Sequence, residues 1–84
     1  MQTEPTTLYS KAVQISEEYL GPAGERFIRR QISTHLGIKP EELSRRHVPN
    51  LVNWAGIAFA LLTKDTKDIQ GFRQGLLALS SDSE

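Results

Sequence analysis

The side chains through which this 84-residue chain could do chemistry are two histidines, His35 and His47, and a set of arginines. The histidines stand twelve residues apart with an expected turn between them. No helical i, i+4 spacing unites them as metal ligands. His35 falls between Phe27 and Ile32 in helical angle and is expected to border the core. The chain has no Cys, which removes disulfides, thiolate zinc sites and cysteine nucleophiles together. Neither a nucleophile elbow nor a glycine-rich phosphate loop occurs. The sequence therefore predicts no enzyme, no catalytic residue, no cofactor and no metal site.

The arginines offer binding chemistry instead. Arg26, Arg29 and Arg30 gather on one side of a predicted helix, and Arg45, Arg46 and His47 follow later. They would form one patch for an acidic protein or a phosphate if the later segment folds back beside the earlier one, because Arg offers a planar fork of donors. Glu25, Glu41 and Glu42 can also neutralise them locally, leaving a solvated face. Residues 29–48 can be laid onto a helix-turn-helix, with the turn at Gly37 and with Lys39, Glu41, Ser44 and Arg45 toward a major groove. Two carboxylates, Glu41 and Glu42, would then face the phosphates, where affinity comes mainly from Lys and Arg. Pro49 cuts the would-be recognition helix to about two turns. Ten basic residues balance ten acidic ones, so no global charge favours nucleic acid. DNA binding through residues 29–48 is the alternative reading, and nucleic acid is not the expected partner.

The elements that must carry these residues are marked by glycine and proline. Leu8, Ala12, Ile15 and Tyr19 lie at i, i+4, i+7 and i+11, an amphipathic stripe ended by Gly21. Pro22 opens a second helix with Phe27, Ile28, Ile32 and Leu36 inward, which stops at Gly37. Pro40 starts a short third helix to about Arg46, and Pro49 opens a fourth. From Leu51 to Leu62 the fourth has Asn53 as its one polar residue. A helix apolar all round is expected to be the buried centre of a bundle, with Trp54, Ile57, Phe59 and Leu61 as the core. It is far short of the roughly 20 residues needed to span a bilayer. Asp65 or Thr66 caps a fifth helix with Ile69, Phe72, Leu76 and Leu79 as its stripe. The predicted fold is all-α, a small bundle of four main helices plus one short connecting helix. Residues 6–79 form a single helical domain, with residues 1–5 a flexible N-terminus and 80–84 a flexible polar tail.

Gly71 and Gly75 sit four apart in the fifth helix, each costing about 1 kcal/mol relative to Ala. Close approach to the strip of Gly56 and Ala60 on the fourth helix within one chain is the simpler reason for them. A subunit contact at Gly71, Gly75 and Leu77 is the other, and the balance leans toward a monomer over a homodimer. The segment Glu18-Tyr19-Leu20-Gly21-Pro22-Ala23 with its Arg-rich helix, and the stretch from Leu61 through Phe72 to Leu79, resemble a small helical domain of bacterial, cyanobacterial-type regulatory and signalling proteins. The resemblance implies a regulatory or docking module with no defined activity. The expected function is a non-catalytic protein–protein interaction module, in the cytoplasm because Met1 to Thr7 shows no basic-then-apolar leader, and away from the membrane. Its partner is another protein or protein domain. The candidate contact residues are Arg26, Arg29, Arg30, Arg45, Arg46, Gly71, Gly75 and Leu77.

Overall fold

The structure is a computed structural model that describes residues 7–81. The expected boundaries hold to within a residue or two where a cap or glycine sets them. Helix α1 spans Leu8–Leu20, and its N-cap Thr7 accepts a hydrogen bond from the Ser10 N–H. Gly21, at φ 65°, turns the chain in a region that disfavours side chains and returns its N–H to the Glu17 carbonyl. Helix α2 follows over Ala23–Gln31 and widens into a π turn, Ile32–Leu36, closed by Gly37 in the left-handed region. Helix α3 spans Val48–Ala60, with Pro49 in its first turn. Helix α4 spans Thr66–Leu77, and the Asp65 carboxylate accepts from the Lys67 and Asp68 N–H groups before a 3-10 turn, Ala78–Ser81, ends the described chain.

These helices make an all-α bundle, with no strand among the described residues. The connecting segment differs from expectation. In place of one short helix to Arg46 there are two 3-10 turns, Pro40–Glu42 and Arg45–His47, separated by extended backbone at Leu43 and Ser44. Side chains divert the backbone here: the Glu42 carboxylate accepts from the Lys39 N–H, and His47 Nδ1 accepts from the Ser44 N–H. Leu43 is still buried, as a plug between the turns. The expected flexible N-terminus, residues 1–5, lies outside the described residues. Of the expected polar tail, Ser80 and Ser81 belong to the last 3-10 turn and the rest is outside them.

Four aromatic rings, one from each helix, meet at the centre. Phe72 of α4 lies 4.6 Å from Phe59 of α3, 5.8 Å from Tyr19 of α1 and 6.0 Å from Phe27 of α2, measured between ring centroids. Ile28, Ile32, Val48, Leu51 and Leu76 are among the aliphatic residues buried around them. Small residues let the helices approach. A Cβ on Gly24 would stand 2.6 Å from the Glu17 nitrogen, so α2 rests on the α1 backbone beside the buried Ser16. The Ser16 hydroxyl is satisfied within its own helix by donating to the Ala12 carbonyl at 2.9 Å.

The expected core needs correction at α3. Phe59 is 2% exposed, but Trp54, Ile57 and Leu61 are 39%, 48% and 83% exposed. Only the side bearing Val48, Leu51, Val52, Ala55, Gly56 and Phe59 is buried. The helix is therefore one wall of the bundle rather than its axis. Four short helices present their stripes to a shared centre, and none has enough neighbours to be enclosed.

Unfolding in urea should separate these roles. Phe59→Ala should cost about 3–5 kcal/mol, whereas Trp54→Ala should cost less than about 2 kcal/mol because much of the indole already faces water. Gly24→Ala should destabilise by about 1–3 kcal/mol through overpacking against rigid backbone. The nearest atoms that Gly56→Ala meets belong to the flexible Arg73 side chain, and it should change stability by no more than about 1 kcal/mol.

Candidate protein-binding surface

Asn50, Trp54 and Ile57 of α3, with Leu61 at its C-cap, follow one another at spacings of 4, 3 and 4, and so lie in one row on its outer side. No ionisable side chain occurs anywhere in the helix. Trp54 is held at the inner edge of this row by His35, whose ring stacks on the indole at 4.2 Å with 2° between the planes. His35 is exposed rather than bordering the core, a consequence of the π turn that carries it out over α3. Leu62, 61% exposed, extends the apolar surface past the helix end.

On the other flank, the stem of Arg73 lies across Gly56, within 3.0 Å of where a Cβ would be. An aliphatic stem thus covers the glycine while the guanidinium reaches water. Arg73, Gln70, Gln74 and Leu77 line a shallow, open depression of about 250 Å³ on the outer side of α4. Leu77, 49% exposed, is the one predicted contact residue that lines this depression.

The other predicted positions fall elsewhere. Gly71 and Gly75 face α1, not the Gly56–Ala60 strip of α3: a Cβ on Gly71 would meet the Tyr19 hydroxyl at 2.5 Å, and one on Gly75 would meet Ile15 at 3.2 Å. They serve close packing inside the chain, and a Gly75→Leu change would push α1 from α4. Arg29 is tied into a small network in which its Nη2 donates to the Glu25 carboxylate at 2.8 Å and its Nε donates to the Tyr9 hydroxyl at 3.4 Å. The Tyr9 contact, followed by the Glu25 charge, raises the Arg29 pKa above its ordinary value. Arg26 and Arg30 are exposed on α2. Arg45 and Arg46 are exposed on a turn whose main packing partners are α3 and the Ala78–Ser81 turn, while α2 packs chiefly on α1. The second arginine group therefore does not fold back along the first.

The segment read as a recognition helix is the pair of 3-10 turns, which lacks a continuous helix to place in a groove. His47 caps Ser44 and lies apart from His35, which is engaged with Trp54. Among the described residues no three His, Asp or Glu side chains gather as metal ligands do, and no helix is long and apolar enough to cross a membrane. Gln31 is buried with its Oε1 lacking a hydrogen-bond partner, one turn before the stacked His35.

Trp54, Ile57 and Leu61 are not legible as surface residues in the sequence because a uniformly apolar helix carries no periodicity to say which side faces in. The signal that was present lies on the buried side, where Ala55 and Gly56 are small. The stack has a spectroscopic consequence, since Trp54 is the single tryptophan of the chain. His35→Ala should raise acrylamide quenching of its fluorescence and shift its emission to the red with little change in far-UV circular dichroism. An unchanged quenching constant would mean that the imidazole does not shield the indole.

Comparison with known proteins yields no matching family model, no matching curated protein and no matching solved structure.

Proposed function

We propose that this chain is a non-catalytic protein-interaction module of regulatory or signalling type, and that it docks through the outer side of α3. The observation that supports this reading is the exposure of Trp54, Ile57 and Leu61 in one uncharged row. Single exposed apolar residues are ordinary, but a contiguous row of large ones, with a stacked tryptophan, is the composition of a protein contact. Tryptophan is also among the residues that most often dominate binding energy. The resemblance carried by residues 18–23 and 61–79 to small helical domains of regulatory proteins supports the regulatory half of the reading.

The test is site-specific photo-cross-linking in the source cell. A photoreactive residue at position 61 should form a discrete adduct with a protein, identified by mass spectrometry, and the same residue at Glu18, exposed on α1, should not. Leu61→Asp in a chain cross-linked from position 57 should reduce the adduct at least about tenfold, the scale of losing one buried apolar contact. Absence of any protein adduct from either position would remove the reading.

A further inference from the structure

We propose that His47 is a pH-sensitive latch at the entrance to α3, closed while its imidazole is neutral and opened when the ring takes up a proton; the inference is independent of what α3 binds. Two donors of one residue converge on the ring. The Ser44 N–H donates to His47 Nδ1 at 3.0 Å, and the Ser44 hydroxyl stands 3.1 Å from the same nitrogen. A backbone N–H can only donate, so Nδ1 must offer its lone pair and the ring proton must sit on Nε2. In return the His47 N–H donates to the Ser44 carbonyl at 2.9 Å, which ties the turn in both directions. Leu43 and Val48, directly outside this pair, are both buried, so the latch holds the residues from Ser44 to His47 between two anchors of the core.

Protonation makes both ring nitrogens donors. The Ser44 hydroxyl can rotate and accept from the new Nδ1–H, but the Ser44 N–H is fixed by the backbone and is left facing another donor. The hydrogen bond between that N–H and the ring is therefore lost when the ring becomes charged. Nothing in the charged surroundings offsets this loss. Arg45 and Arg46 stand on the turn itself. The two elements it chiefly packs against, α3 and the Ala78–Ser81 turn, carry no ionisable side chain to hold an imidazolium. On the preceding turn Glu42 is engaged by the Lys39 N–H, and Glu41 is exposed to water. His35, the other histidine, has no comparable role, because its contact is a ring stacked flat on Trp54 rather than a lone pair opposite a backbone donor.

Nuclear magnetic resonance of the full chain between about pH 8 and about pH 5, the range over which histidine changes its charge, gives the readout. At the upper end the ring nitrogens of His47 should report the Nε2–H tautomer. On acidification the Ser44 amide, corrected for the intrinsic pH dependence of exchange, should lose protection against exchange with water by at least about fivefold, the scale of one net hydrogen bond. That loss should share its midpoint with the titration of the His47 ring. His47→Asn puts an amide oxygen where Nδ1 stands and does not titrate, so its Ser44 amide should stay protected throughout. His47→Ala should leave the same amide unprotected at both ends of the range, and His35→Asn should keep the wild-type response. Four results each overturn the proposal: an Nδ1–H tautomer at the upper end, a His47 ring still neutral at the lower end, Ser44 protection that stays constant while the ring titrates, or a response that persists in His47→Asn.

Discussion

Phe72 touches an aromatic ring from each of the other three helices, and the arrangement of the bundle depends on that meeting. Its contacts with Tyr19 and Phe27 are edge-on, with planes at 82° and 66°, the orientation that sets a positive ring edge against a negative face. Such pairs contribute about 0.5–1.5 kcal/mol each beyond the area they remove from water. Their directionality matters more here than their strength. In a chain of this size a purely aliphatic centre would allow the helices to slide, whereas rings locked edge to face fix each helix in rotation. Gly71 completes the device, because its missing side chain is the space into which the Tyr19 hydroxyl reaches.

A centre filled in this way uses one side of each helix. For α1 and α2 that suffices, because none of their large apolar residues is exposed, and α4 leaves only Leu77 outside. For α3 it does not, since Trp54, Ile57 and Leu61 remain on the solvent side with Phe59 turned inward. Fold stability and the exposed row thus draw on different residues of one helix. The row can be altered without dismantling the core, and the core can be weakened without altering the row's chemistry. His35 is the exception, since the π turn that ends α2 delivers its ring to the row's edge.

Helix limits were legible wherever a residue type has a single backbone meaning. Gly21 and Gly37 both adopt positive φ, Pro49 stands in a first turn, and Asp65 caps with its side chain. Orientation was legible where apolar and polar residues alternate with helical period, as with Ile28, Ile32, Phe72 and Leu76. It was lost for α3, whose even apolarity gives no direction. Gly71 and Gly75 announced a close approach but not its partner, because a missing Cβ says how near another element comes and not which one. The segment after Gly37 departs from a short helix because Glu42 and His47 accept hydrogen bonds from backbone three residues earlier, a local competition that outweighs the dipole-friendly charges of such a helix.

Gly24 carries an implication for how far such a chain can diverge. Its α-carbon rests on the α1 backbone at Ser16 and Glu17, where no side chain can retreat to make room. A larger residue at Gly24 cannot be offset by trimming Ser16, because the obstruction is main chain. Substitution there is thus blocked, whereas the outward row of α3 can change without touching the core. Descendants of this sequence should retain glycine at position 24 even where their contact surfaces have changed, making the seam, rather than the surface, the durable mark of common ancestry.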